Sequence, residues 1–204
     1  MEFFNEMDLD ILKEIGNIGA GNAATALSEM TEMTVDIGVA KCEMIPYEQI
    51  ADILSGPETV VLGILVQMSG DLEGFIMMAQ ELPDAAAMTR VLLNQKTDIN
   101  EDTAALMEEM EPLKEVCNIL CGAYLAAISS MTGLSITPSV PEMAIDMAMA
   151  VMNVPVLVYG EIGDSALLLE TCFKGDTEEQ LKGHFFLMPT PESYTTLRKA
   201  LLGE

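Results

Sequence analysis

The sequence predicts an α+β fold made of two similar halves, with a mostly antiparallel sheet joined between them and a pair of long helices. Three observations carry this. First, Glu14-Ile15-Gly16-Asn17-Ile18-Gly19-Ala20-Gly21 is written again as Glu115-Val116-Cys117-Asn118-Ile119-Leu120-Cys121-Gly122, at an offset of 101 residues. Leu, Lys, Glu, Asn, Ile and Gly are identical between Leu12–Gly21 and Leu113–Gly122. Second, each half gives the same order of signals: long helix, extended segment, short helix, strand hairpin, closing helix. Third, half of the 204 residues are apolar, enough for one sizeable core. We therefore expect a single domain over 1–204 composed of two repeats, about 1–98 and 99–204, related by a pseudo-twofold.

Asn5 or Asp8 can cap a first helix that runs to about Thr31. Leu9, Leu12, Ile15, Ile18, Ala23, Ala26 and Leu27 give its apolar stripe. Glu14, Asn17 and Gly21 share one face at i, i+3 and i+7, as do Glu115, Asn118 and Gly122. Gly16, Gly19 and Gly21 each lower helix propensity by roughly 1 kcal/mol relative to Ala. Such a cost fits a helix whose backbone something approaches closely, either a neighbouring helix or a partner. Thr34–Val39 alternates as a strand. Pro46–Leu54 reads as a short helix, and Thr59–Met68 with Leu72–Ala79 as a hairpin about Ser69-Gly70-Asp71. Pro83–Leu93 is an amphipathic helix, and Gln95–Asn100 is the expected joint.

In the second half Asn100–Met110 reads as a short acidic helix. Pro112 suits the first turn of the next helix, which Gly133 ends near Thr132. Glu142–Met152 is expected to be helical. Val154–Glu161 and Ala166–Phe173 are expected to form a hairpin about Ile162-Gly163-Asp164-Ser165. Gly183–Met188 reads as a strand and Pro191–Leu202 as the closing helix.

The net charge of −24 disfavours nucleic acid and anionic lipid as partners and is compatible with a basic protein surface. The N-terminus lacks the basic start and apolar run of a signal peptide, and Asp146, Asn153 and Pro155 interrupt the longest apolar region, Met143–Val158. A cytoplasmic protein without membrane insertion is expected. Cys42, Cys117, Cys121 and Cys172 read as reduced packing thiols, the 17 methionines mostly as core filling, and His184 as a strand residue.

Leu12–Ser28 and Glu115–Leu125 resemble the two signatures of the CheC-type chemotaxis phosphatases, the family of CheC, CheX and FliY. The paired motifs are closest to the two-site members, and no FliY-type switch domain is expected after Glu204. The family pattern is Asp or Ser, three residues, Glu, two residues, Asn, then 22 residues and Pro. Asp10, Glu14 and Asn17 fit it, with Ala40 at the proline position. Glu115, Asn118 and Pro141 fit it, with Glu111 at the Asp/Ser position. The two sites are therefore expected to differ.

The resemblance implies hydrolysis of the aspartyl phosphate on the response regulator CheY. Glu14, Asn17, Glu115 and Asn118 would be catalytic, and Asp10, Glu111 and Pro141 would meet the partner. CheY would bring its own Mg²⁺, so no cofactor or metal of this chain is expected. Asn would position the attacking water, as a Gln does in GTPases, and Glu would hold a lysine of the partner. The resemblance also implies a second partner, the receptor deamidase CheD, met by Pro141–Ala148 with Asp146 as the acidic contact. Both Asn side chains are expected to be exposed, so that replacing them leaves folding unaffected. Pro141 is expected to stiffen the segment near the second face, a restraint Ala40 does not supply, so that Asn118 matters more than Asn17. Two other readings fit the same residues. One is a non-enzymatic CheY/CheD adaptor with decayed sites; the other is a helix scaffold in which both Glu/Asn faces are buried.

Overall fold

Helix α1 (Glu6–Thr31) starts at a capping box: the Asn5 side chain accepts from Asp8 N and the Asp8 carboxylate accepts from Asn5 N, both at 3.0 Å. The computed structural model describes residues 4–93, 103–159, 164–174 and 180–203. After α1 come strand β1 (Asp36–Pro46), a 3-10 turn (Tyr47–Gln49), α2 (Ile50–Ile53), β2 (Val60–Gly70), β3 (Gly74–Glu81) and α3 (Leu82–Leu93). The second stretch holds α4 (Thr103–Met110), α5 (Leu113–Thr132), β4 (Ile136–Pro138), β5 (Glu142–Met147), α6 (Ala148–Tyr159), β6 (Ser165–Lys174), β7 (Gln180–Pro189) and α7 (Pro191–Leu202). The expected joint Gln95–Asn100 lies outside the described residues.

The seven strands among the described residues form one antiparallel sheet in the order β1-β6-β7-β3-β2-β4, with β5 also on β2. The two hairpins meet in the middle, β3 against β7. Each hairpin then pairs outward with a strand from the other end of the chain: β6 with β1, and β2 with β4 and β5.

Helices cover both faces of the sheet. On one, Leu62, Ile64, Met78, Leu169 and Phe185 pack with the inner faces of α1, α5 and α7. On the other, Val61, Leu65, Phe75, Met77 and Phe186 pack with Ile50 and Ala51 of α2, with Leu54 at its end, and with Val151 and Met152 of α6. Burial on both faces explains why β2 and β3 read as nearly continuous apolar runs. Burying each side chain of this size contributes about 1.5–3 kcal/mol. Helix α5 is apolar and long enough to cross a membrane by length and composition, but Leu113, Val116, Leu120, Tyr124 and Ile128 are buried in the core. The Tyr124 hydroxyl bonds Thr171 at 2.8 Å, and its ring meets Phe185 edge-on.

The glycines of α1 have distinct neighbours. A Cβ on Gly19 would stand 2.8 Å from the Tyr124 ring and 3.0 Å from the Ala123 carbonyl oxygen, so Gly19 is where α1 and α5 cross closely. One on Gly16 would stand 3.1 Å from Val39 of β1. At Gly21 and Gly122 a Cβ would meet nothing within 4 Å.

Two expected elements are corrected. Glu142–Met152 is not one helix: β5 takes Glu142–Met147 and α6 starts at Ala148. Met143 and Ile145 alternate toward the main core while β5 pairs with β2, so strand pairing overrides the helix propensity of Ala and Met. The expected strand at Val154 is instead the continuation of α6 to Tyr159, through Pro155. Val151 and Met152 anchor that helix on the sheet, and the Tyr47 hydroxyl donates to the Met152 carbonyl in the turn the proline interrupts. Strand β6 therefore pairs with β7, and residues 160–163 of the expected turn lie outside the described residues.

Candidate functional site

The two Glu/Asn faces lie on the outer sides of α1 and α5. Glu14, Glu115 and Asn118 are exposed and Asn17 is half-buried. None lies in the core, which removes the scaffold reading.

On α1, Asn17 Oδ1 accepts from the backbone N–H of Val39 at 3.0 Å. One turn earlier, Lys13 Nζ donates to the Ala40 carbonyl at 3.0 Å. An i, i+4 pair on the helix thus grips consecutive residues of β1. Ala40 is the extra residue of a β-bulge, because Val39 pairs with Thr171 and Lys41 with the adjacent Glu170. The first site therefore has a restraint after all, supplied by side chains rather than by a proline. The expectation that both Asn can be replaced without effect on folding is corrected for Asn17, which satisfies a buried backbone donor. Asp10 is exposed one turn before Glu14. Burial pushes the nearby Cys42 thiol up to about 12; Lys13 pulls it down, and Asp10 and Glu43 add to the rise.

On α5 the arrangement is open. Glu111, Pro112, Lys114, Glu115, Val140, Pro141 and Glu142 line a groove of about 410 Å³. Three of the residues read from the sequence, Glu111, Glu115 and Pro141, are thus brought together, with Asn118 exposed one turn along the helix. The facing strand is irregular at the matching place: between Pro138↔Met68 and Glu142↔Leu65, three residues stand against two. Here Ser139 holds the break. Its N–H donates to the Gln67 carbonyl at 2.9 Å, and its hydroxyl accepts from Gln67 N at 3.0 Å.

Asp146 is exposed on β5 and accepts from Met147 N at 2.7 Å. Beside it Met147 and Met149 are exposed, and farther along α6 Leu157 is 81% exposed. His184 lies on β7 opposite Ala79 and Glu170, with burial holding its imidazole below the usual range. Cys117 and Cys121 are buried one turn apart with their sulfurs 3.5 Å from each other. Sequence reasoning passed over Lys13 and Lys114, although both stand in the repeated segment immediately before the Glu. It also did not single out a groove of about 650 Å³ lined by Tyr47, Glu48, Met149, Met152, Asn153 and Asp164, which no motif marks.

This sheet with its paired long helices is the fold of FliY. The FliY structure from Thermotoga maritima superposes with a TM-score of 0.74 at 16% identity, covering 98% of each chain. The CheX of Borrelia burgdorferi, solved in complex with CheY, BeF₃ and Mg²⁺, has a TM-score of 0.51 at 17% identity, covering 83% of this chain and 95% of its own. The profile of the CheC-like family matches residues 7–39, which include Glu14 and Asn17. The chain belongs to that family: it is 32% identical to the CheY-P phosphatase CheC of Bacillus subtilis over 205 residues, 98% of each protein.

Proposed function

We propose that this protein is a hydrolase that removes the aspartyl phosphate from the phosphorylated chemotaxis response regulator CheY. The observation that carries this reading is the open groove of α5, in which Glu111, Glu115 and Pro141 converge beside the exposed Asn118. Similarity to the Bacillus subtilis phosphatase over nearly the whole chain supports it. The site needs no nucleophile of its own. The Asn118 carboxamide accepts a hydrogen bond from one water and turns that water's oxygen in line with the phosphorus. The new P–O bond forms as the bond to the CheY aspartate breaks, leaving that carboxylate and inorganic phosphate. Mg²⁺ travels with the substrate. Glu115 takes a basic side chain of CheY by a charge-assisted hydrogen bond and sets the register. Pro141 fixes the strand side of the groove, and Glu111 extends its acidic rim. Positioning of this kind can be worth several kcal/mol of barrier.

Glu14, Asn17 and Asp10 form the corresponding α1 site of a duplicated domain. The palindromic strand order and the paired bulges support that duplication. Because Asn17 is held by Val39, the α1 face suits binding better than water positioning, and the non-enzymatic reading survives for that face alone. CheD is the second proposed partner. Asp146 offers it a carboxylate, and the apolar side chains exposed on β5 and α6 offer contact area. The place of action is the cytoplasm, where CheY is phosphorylated.

The deciding experiment is phosphate release from acetyl-phosphate-loaded CheY with and without this protein. We expect acceleration by the wild type that Asn118→Ala removes. Unchanged release in its presence would leave only the adaptor reading. For CheD, Asp146→Lys should weaken capture of the deamidase and leave phosphate release nearly intact; unchanged capture would remove that assignment.

A further inference from the structure

Lys13 and Asn17 on α1 stand at i and i+4, as do Lys114 and Asn118 on α5, so each lysine is the surface neighbour of the asparagine. In the first half both side chains are committed to the bulge of β1, through the Ala40 carbonyl and the Val39 N–H. In the second half Ser139 satisfies the break between β4 and β5. Lys114 by contrast lines the groove, and its ammonium makes no hydrogen bond or ion pair with any described residue. The chain has 9 Lys and Arg against 33 Asp and Glu. A lysine without an ion pair, in a groove also lined by Glu111, Glu115 and Glu142, is therefore not explained by general surface charge.

We propose that Lys114 contacts the substrate: its ammonium donates to a phosphoryl oxygen of the aspartyl phosphate and orients that group toward the water held by Asn118. This rests on the phosphatase reading above. A groove rimmed by three glutamates repels a phosphoryl dianion. The lysine offsets this at the one place where the phosphoryl group must come, while the glutamates face basic groups of the partner. A lysine suits the role because its compact charge and three donors bind phosphate without demanding a fixed plane. The ammonium keeps its proton throughout. As the P–O bond to the aspartate breaks, it balances negative charge on the transferred group. On α1 the same lysine is tied to Ala40, so the first face lacks this contact unless the bond opens.

The test uses the full chain with Lys114→Met, Lys114→Arg and Asn118→Ala. Binding is measured calorimetrically to CheY alone and to CheY carrying beryllofluoride with Mg²⁺, a phosphoryl mimic, alongside phosphate release. Lys114→Met should weaken binding to the beryllofluoride form about tenfold while leaving the unloaded form unchanged, and should lower kcat/KM at least tenfold. Lys114→Arg should recover most of both. An equal loss for loaded and unloaded CheY would overturn the assignment, because the lysine would then touch only the partner's surface. Wild-type phosphate release by Lys114→Met would overturn it as well. If Asn118→Ala is inactive in either case, the phosphatase reading stands without the lysine. If Asn118→Ala stays fully active, it is the asparagine mechanism that fails.

Discussion

Replacing Asn17 and Asn118 separately divides what each half uses its asparagine for. Asn17→Ala removes the acceptor of the Val39 N–H, and Val39 is 5% exposed. A buried donor left without a partner costs about 1–3 kcal/mol. For a chain of this size 1 kcal/mol corresponds to about 2–4 °C in Tm, so a loss of about 2 kcal/mol lowers Tm by about 4–8 °C. Water entering the space left by the carboxamide would bring the cost to the lower end. Asn118→Ala removes an exposed side chain that makes no bond with any described residue, and should change stability by no more than about 0.5 kcal/mol. Activity should run the other way. Losing the carboxamide proposed to place the water should lower phosphate release about 100-fold for Asn118→Ala, and about twofold or less for Asn17→Ala. The double mutant should fall to the intrinsic rate of CheY. Thermal melts and phosphate release, the latter well below the lowest Tm, read both quantities. Asn17→Ala melting with the wild type would refute the structural role of its bond. Asn17→Ala proving the slower single mutant would refute the assignment of catalysis to the open groove.

Other perturbations follow from the same packing. Gly21→Ala and Gly122→Ala should each raise Tm by about 2–4 °C, since helix propensity gains roughly 1 kcal/mol and the new Cβ meets nothing. Gly19→Ala should instead cost about 1–3 kcal/mol of stability and lower Tm, because its Cβ drives into the Tyr124 ring and the backbone of Ala123; equal melting of Gly19→Ala and Gly21→Ala would contradict this. His184 is held below the usual 6.5 by burial, so the unfolded chain gains a proton that the native chain does not as pH falls through that value. Stability from this group is fully present above about pH 6.5 and is lost below it. Urea midpoints at about pH 7.5 and 5.5 should therefore differ less for His184→Gln than for the wild type. Fragments 1–98 and 99–204 expressed apart should lack native circular dichroism and recover it on mixing, since β1 pairs only with β6 among the described strands; a folded isolated half would refute the exchange.

How much of this was readable from sequence depended on distance along the chain. Both long helices and the hairpin of β2 and β3 were readable, because spacing and turn residues act locally; the caps were only approached, since Asn5 rather than Asp8 is the N-cap of α1 and Pro112 is the N-cap of α5 rather than its first helical residue. So were Glu14, Glu115 and Asn118 as surface residues, since i, i+3 spacing fixes a face. The bond from Val39 to Asn17 was not, because it joins residues 22 positions apart and depends on a bulge that no propensity reports. The step from β5 to α6 failed for a different reason. Met143, Ile145 and Met147 do alternate, but alanine and methionine surround them and mask a strand whose partner, β2, lies far back in the chain.

The difference between the two faces comes from the strands rather than from the helices. Both helices carry Leu-Lys-Glu, then Asn-Ile, then Gly at the same spacing. Both facing strands contain one residue too many. In β1 the extra residue leaves a backbone donor and a carbonyl for Asn17 and Lys13 to satisfy. Between β4 and β5 a serine meets that need from within the strand, and Pro141, which has no N–H, removes a donor at the same point. A lysine without a structural bond then lines a groove, with Asn118 exposed one turn along the helix. Two near-identical helix faces can thus diverge, one toward holding the fold and the other toward chemistry, through changes confined to residues 139–141 and their counterparts in β1.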